Sequence, residues 1–304
     1  MASSNAKATT IRKSASTKVF HLIGGVVLLT LAVFCVVPFI LLISASFTSE
    51  HSIVWDGYRL IPGEFSMKAY EILFRSPKVI LDAYKVSIIV TVAGTAAGLL
   101  MTSAAAYVLS RNYFKFRHQV SFFFYFTTLF NGGMLSSYIF FVRYYNLKNN
   151  YLALILPTLI HVFYLLIMRT FMASIPESIC ESAKIDGASE FVIFFRLILP
   201  LSTASLATVG LFLALDYWNN WYNAMLYISK TSMYPLQYML YNMMTAADAI
   251  ARLSQHNTDM RLVDTPTRSL RMAMTVVATG PILLVYPFVQ KYFVKGVTVG
   301  AVKG

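Results

Sequence analysis

Charged side chains are spaced so widely along this chain that six intervals could each cross a lipid bilayer. Lys18 to Glu50 encloses 31 uncharged positions, Lys85 to Arg111 and Arg117 to Arg143 enclose 25 each, and Lys148 to Arg169 encloses 20. Arg196 to Lys230 encloses 33 interrupted only by Asp216, and Arg271 to Lys291 encloses 19. A helix of about 20 apolar residues spans ~30 Å of hydrocarbon, so all six qualify, the last near the lower limit. A content of 57% hydrophobic against 12% charged residues over 304 positions excludes a water-soluble globular chain. The intervals are continuously apolar and do not alternate over ~10 residues, which excludes a membrane β-barrel. The expectation is an all-α integral membrane protein with six transmembrane helices. A seventh uncharged stretch, Thr231 to Ala247, carries Pro235, Gln237, Asn242 and Thr245, and is placed outside the membrane because lipid could not satisfy those polar groups.

Basic residues retard translocation of the segments that carry them. The N-terminal tail has Lys7, Arg12, Lys13 and Lys18 without an acid, and the short Arg111 to His118 connection has three Lys/Arg without an acid. Both are therefore expected in the cytoplasm, and six spans return the C-terminus to the same side. The first apolar stretch far exceeds the ~7 to 15 residues of a secretory h-region and is read as an uncleaved start-transfer helix. The net charge of +12 is dispersed at helix ends rather than gathered in a patch, so nucleic acid is not an expected partner. Cys35 and Cys180 fall in the first span and in a cytoplasmic connection, too far apart for a bridge.

The connection from residue 173 to 200, between the fourth and fifth spans, is the most informative segment. Ser174-Ile175-Pro176-Glu177 has capping-box spacing with Pro in the first turn, which predicts a helix from Ile175 to Asp186. Ile175, Ile179 and Ala183 share one face, whereas Glu177, Glu181 and Lys184 share another. Asp186-Gly187 supplies the terminating turn, and a more apolar helix follows to Pro200. Amphipathicity alone fits two interfacial helices lying on the bilayer.

The spacing is more specific than the amphipathicity. Glu181-Ser182-Ala183, three residues, Gly187, nine residues, then Leu197-Ile198-Leu199-Pro200 resembles the EAA motif of binding-protein-dependent ABC importer permeases. Ser182 stands where that family often has Ala, and Leu197 where it often has Ile. Phe47-Thr48, Phe65-Ser66-Met67, Ala105 with Tyr107, and Gly300-Ala301-Val302-Lys303-Gly304 are similar to the carbohydrate-uptake branch. Asn131-Gly132-Gly133, the run from Tyr217 to Ala224, Tyr234-Pro235-Leu236-Gln237 and Tyr286-Pro287-Phe288 resemble a subgroup that moves complex oligosaccharides or polysaccharide pieces. The likeness covers roughly residues 19 to 304.

The resemblance implies the type I ABC importer permease fold with both termini cytoplasmic in a bacterial inner membrane. Its parts would be residues 1–84 as tail, first helix and extracytoplasmic segment, 85–292 as the permease core, and 293–304 as a cytoplasmic tail. It implies a homologous second permease, two ATP-binding subunits, an extracytoplasmic solute-binding protein, and alternating access for a saccharide. Glu181, Ser182, Ala183, Asp186, Gly187 and Pro200 would couple to the ATPase, and Gly300, Lys303 and Gly304 would contact it through a tail too poor in bulky apolar residues to fold alone.

The residues themselves agree with a transport subunit. No G-x-x-x-x-G-K-[ST] loop and no H-E-x-x-H pair occurs, so ATP and Mg are expected on the partner, with no cofactor on this chain. The alternative, an ion-coupled secondary transporter of a small polar solute, usually needs several intramembrane carboxylates or imidazoles, and only Asp216 qualifies. Gly94 and Gly98 form a GxxxG pattern, read as tight internal packing or as contact with a second subunit. Asn131-Gly132-Gly133 is read as a break or close contact near the pathway. Asp216, Trp218, Asn219, Asn220, Trp221 and Asn223 combine aromatic rings for sugar C–H faces with groups that bond hydroxyls, and are candidates for the pathway beside an interfacial role. The surplus of basic residues hints at uronic-acid polymers such as alginate or pectin fragments.

Overall fold

The computed structural model describes residues 15–130, 132–256 and 267–301, and these are helical apart from connections and one isolated antiparallel bridge, Thr48 with Phe65. The helices are α1 (Ala15–Ser46), α2 (Glu50–Asp56), α3 (Lys68–Leu73), α4 (Pro77–Ser110), α5 (Arg117–Leu129), α6 (Gly133–Ile139), α7 (Leu152–Ile155) and α8 (Val162–Ala173). They continue as α9 (Glu177–Ile185), α10 (Glu190–Val192), α11 (Leu199–Leu201), α12 (Thr203–Trp218), α13 (Tyr222–Tyr227), α14 (Leu236–His256) and α15 (Thr267–Ala301). A π-helical stretch, Ile193–Ile198, joins α10 to α11.

The chain divides into two compact units, one ending at Tyr70 and including α15 as far as Val276, the other comprising the residues from Glu71 and α15 from Val277. In the first unit, Phe47 lies between Phe65 (5.7 Å) and Tyr70 (4.9 Å), and the bridge is closed by Ser66 N–H donating to Phe47 O at 2.8 Å. Glu50 accepts the backbone N–H groups of Arg268 and Ser269, each at 3.0 Å. A carboxylate there satisfies orphan donors at the start of α15 and complements its dipole. Most side chains of α1 face outward, including Phe20, Leu22, Leu28, Leu29 and Phe34. Such a surface suits lipid or another membrane helix, not water.

In the second unit α4 is the shared wall of two hydrophobic clusters. Toward its C-terminal end, Ala106, Tyr107 and Leu109 pack with Leu165, Met168 and Met172 of α8 and with Ile193, Ile198, Val209 and Leu213. Toward its start, Val86 and Val90 pack with Leu154, Ile155, Tyr217 and Tyr227. The GxxxG pattern is used here for internal packing. A Cβ on Gly94 would lie 2.6 Å from the Tyr217 ring, and one on Gly98 3.0 Å from Leu159 O. The Tyr217 hydroxyl then donates to Ile155 O at 3.0 Å. That carbonyl stands where the helix tightens into a 3₁₀ turn at Leu156–Thr158, and in hydrocarbon it needs a protein donor.

Two helices, Val19–Ser46 and Pro77–Ser110, are each long and apolar enough to cross a membrane. Two bent pairs also qualify together: Leu152–Thr158 with Val162–Ala173 at 57°, and Glu190–Leu201 with Thr203–Trp218 at 83°. Length and composition thus support two spans, or four if each bent pair is one, among the described residues. The third expected interval is interrupted between α5 and α6, where Gly133 has φ +83°. The fifth is not one straight span: it turns at Ser202 just after Pro200 and stops at Asn219 before α13. The sixth lies in α15, which continues to Ala301, so the stretch 296–301 is helical where the sequence suggested a tail unable to fold alone. Extending an existing helix needs one bond per residue and no new nucleus, which composition does not reveal. Pro281 removes the donor for Val277 O, and Tyr84 Oη donates to that carbonyl at 2.6 Å.

Gly94→Ala is expected to destabilise the second unit by about 1–3 kcal/mol through overpacking against Tyr217. A lowered thermal midpoint of the detergent-solubilised chain checks this, and an unchanged midpoint would show that the ring can move aside.

Candidate functional site

The connection after α8 is folded by its caps. Ser174 ends α8, its hydroxyl donating to Phe171 O at 2.7 Å, so the expected capping box from Ser174 does not form. Pro176 has an extended ψ of 132° and is itself the N-cap, and α9 therefore starts at Glu177 rather than Ile175. Proline disfavours a helical conformation at the residue before it, which removes Ile175 from the helix. At the other end Gly187 has φ +79°, Gly187 N–H donates to Lys184 O at 3.0 Å, and Ala188 N–H donates to Ala183 O at 2.9 Å. This pair of bonds is a Schellman ending, which the glycine permits without strain. Ser189 then caps α10, accepting from Val192 N–H.

One face of α9 is held inward. Cys180 is buried, with Ile175, Ala183 and Ala188 packed beside it against the core. The opposite side presents Glu181, Ser182, Ile185, Asp186 and Gly187 to the outside, Ile185 at 88% exposure. Ala183 is half-buried, and Pro200 is exposed at the bend that leads into α12.

Polar residues absent from the sequence expectation anchor the inward face. Arg111 is buried and donates from Nη2 to Met172 O at 2.6 Å and from Nη1 to Cys180 Sγ at 3.3 Å. Its guanidinium thus adds a donor to one carbonyl in the last turn of α8 and lies 5.3 Å from the Tyr107 ring centre. Asn112 Nδ2 donates to Glu177 Oε2 at 2.6 Å. Glu190 accepts the hydroxyls of Tyr107 at 2.7 Å and Tyr113 at 2.9 Å on one oxygen, and pairs with Lys184 Nζ at 2.7 Å through the other. Lys184 Nζ lies 3.7 Å from the Tyr113 ring centre. Partial burial pushes the Glu190 carboxyl up, but Lys184 and the two phenols together outweigh it and hold it below the usual range. The Glu190 bond raises Lys184 above the ordinary lysine value. The sequence signal for this cluster was faint: Lys184 and Glu190 sit on opposite sides of a turn, and Tyr107 entered only through the resemblance.

The polar and aromatic run from Asp216 to Asn223 is split between two faces. Asp216 is exposed and accepts the Tyr164 hydroxyl at 2.7 Å, while Tyr164 packs against His161 (4.6 Å) and Phe212 (5.7 Å). Asn219 is exposed and accepts from Gln237 Nε2 at 3.4 Å. Trp221, 36% exposed, stacks on Tyr241 of α14 at 4.3 Å and 14°. Trp218 instead is buried, donates from Nε1 to Ala278 O at 3.3 Å, and borders an apolar cavity of about 290 Å³ with Ile88, Leu215 and Pro281. Asn220 Oδ1 accepts Asn223 N–H at 3.0 Å, opening α13, and Asn223 is buried. Gly300 lies in the last turn of α15, whereas Asn131, Lys303 and Gly304 lie outside the described residues.

No protein-family profile matches the chain. It is 41% identical over 278 residues to the polygalacturonan/rhamnogalacturonan transport system permease protein YtcP of Bacillus subtilis (strain 168), covering 91% of this chain and 96% of that protein. It is 38% identical over 282 residues to protein LplC of the same organism, covering 93% and 92%. Among solved structures, a bacterial ABC transporter involved in import of the acidic polysaccharide alginate has a chain with TM-score 0.77 and 27% identity, covering 93% of this chain and 100% of that one.

The carboxyl of Glu190 titrates below the usual range, so its contribution to stability is present at neutral pH and is lost as pH falls through that lowered value. With both partners well exposed, the Lys184 pair is worth at most about 1 kcal/mol. Glu190→Gln is therefore expected to lower the thermal midpoint slightly at neutral pH and to match the wild type at acid pH. A midpoint difference that does not shrink on acidification would contradict the assignment.

Proposed function

The chain belongs to the permease subunits of ABC sugar importers, and from that membership we propose that it forms half of a pathway importing an oligosaccharide or polysaccharide fragment. It is a transport subunit, in a membrane, and not an ion-coupled carrier. The observation that carries the coupling part of the reading is α9, short, anchored on one side and exposing Glu181, Ser182, Ile185 and Asp186 on the other. An acidic, half-apolar helix face of this size fits a groove in a partner with a basic side chain opposite Glu181.

In this proposal a homologous second permease completes the pathway across the bacterial inner membrane. Two ATP-binding subunits hold ATP and Mg, and an extracytoplasmic binding protein delivers the sugar. All six apolar intervals span, the termini are cytoplasmic, and the parts 1–84, 85–292 and 293–304 keep the roles the resemblance implies. Closure of the ATPases draws the coupling helices together and opens the outer face. Gly300, in the last turn of α15, and Lys303 and Gly304 contact the ATPases. Asp216, Asn219 and Trp221, with exposed polar or aromatic groups, line the sugar path, and Trp218, Asn220 and Asn223 support them from behind. Asn131 is assigned to the sugar path by the resemblance alone. Similarity to a polygalacturonan/rhamnogalacturonan permease and to an importer of the acidic polysaccharide alginate favours an acidic saccharide.

Energised vesicles test the class directly: ATP with the binding protein should drive uptake, and a proton or sodium gradient alone should not. Glu181→Lys and Gly187→Val should insert normally and lose binding-protein-stimulated ATPase. Trp221→Ala should slow uptake roughly two- to tenfold, as for loss of an aromatic contact worth ~0.5–1.5 kcal/mol. Normal transport by Trp221→Ala would take the path away from this segment, and preference of the cognate binding protein for a peptide, amino acid or metal would overturn the substrate class.

A further inference from the structure

We propose that Tyr107, Arg111, Asn112, Tyr113 and Glu190 are positioning residues for energy coupling, binding α9 to the end of α4 so that both move as one body. The proposal rests on the reading of α9 as the ATPase contact. It begins from a mechanical difficulty. α9 has nine residues, is preceded by the extended Pro176 and followed by the left-handed Gly187. A helix this short is not stable alone in water, and breaks at both ends leave the backbone a poor carrier of force.

The structure bridges both breaks from one place. From the turn after α4, Arg111 holds the end of α8 through Met172 O at 2.6 Å and the middle of α9 through Cys180 Sγ at 3.3 Å. Asn112 holds the start of α9 through Glu177 at 2.6 Å. Beyond Gly187, Glu190 is joined at once to Tyr107 on α4, to Tyr113 in the turn and to Lys184 at the end of α9. Every segment around the two breaks is thus tied to residues 107–113, and none of these ties uses Glu181, Ser182, Ile185 or Asp186. The outward face stays open for a partner while the inward face is fixed. α4 in turn meets Tyr217 at Gly94, next to Asp216 on the proposed sugar path. A displacement of α9 is delivered to that contact through rigid helix rather than lost in a loop.

The test uses the complete importer in liposomes, with both permeases, both ATPases and the binding protein, and reads sugar transported per ATP hydrolysed. Glu190→Ala removes the shared acceptor. The double variant Tyr107→Phe with Tyr113→Phe removes only the two hydroxyls and keeps the packing, so it decides the matter if Glu190→Ala fails to accumulate. Both are expected to hydrolyse ATP and retain the ATPases on purification, yet move several-fold less sugar per ATP. Glu190→Gln should recover part of the ratio, since its amide oxygen still accepts both hydroxyls. A wild-type ratio in the double variant overturns the proposal. Glu181→Lys, measured in parallel, separates the two readings. If it retains full coupling, the ATPase contact itself is misassigned. If it uncouples while the double variant does not, only the tether falls.

Discussion

Satisfying backbone and tyrosine polar groups without water is the constraint on which this structure depends. Lipid offers no hydrogen bonds, so each irregularity in a spanning helix needs a protein partner. Tyr217 meets that demand and a packing demand together. Its ring occupies the space left by Gly94, and its hydroxyl reaches the carbonyl of Ile155 beside the 3₁₀ turn. Tyr84 does the same for Val277 O, whose usual donor is missing at Pro281, and Ser87 accepts the first N–H of α14, Leu236, at 2.8 Å. Three side chains on or against α4 thus allow bends, a proline and a helix start near the apolar core.

The same logic governs the turn after α4, with charge replacing neutral hydroxyls. Arg111 is buried and, among the described residues, is satisfied by a carbonyl, a thiol, the Ser110 hydroxyl and an aromatic face rather than by a carboxylate. A guanidinium suits this position because its planar fork spreads one charge over several acceptors in fixed directions. A lysine would present a point charge and could not hold Met172 and Cys180 in the same plane.

The sequence made local features legible and left non-local ones hidden. The turn at Gly187, the interruption at Gly132–Gly133 and the close packing at Gly94 each follow from glycine, whose lack of a Cβ has few explanations. The division of the run from Asp216 to Asn223 was only half legible. Helical periodicity puts Asp216 and Asn219 on one face, three residues apart, and turns Tyr217 and Trp218 away, but composition alone had grouped them. The Arg111, Tyr113 and Glu190 cluster was not legible, because its members lie 61 to 83 positions from their partners across two helices. The bends at residues 159–161 and at Ser202 follow Pro157 and Pro200; a helix end at Pro200 was legible, whereas counting uncharged positions alone passes over the proline at 157.

The elbow at Ser202 has a geometric consequence for transport. The Glu190–Leu201 arm and the α12 arm meet at 83°, so rolling the first about its own axis swings the second sideways almost without loss. With 16 residues at ~1.5 Å each, α12 is about 24 Å long, and a roll of about 5° sweeps its far end by about 2 Å. That far end carries Asp216. A twist too small to disturb side-chain packing at the pivot is thereby magnified into a shift comparable to the radius of a water molecule, the scale on which a narrow passage opens or shuts.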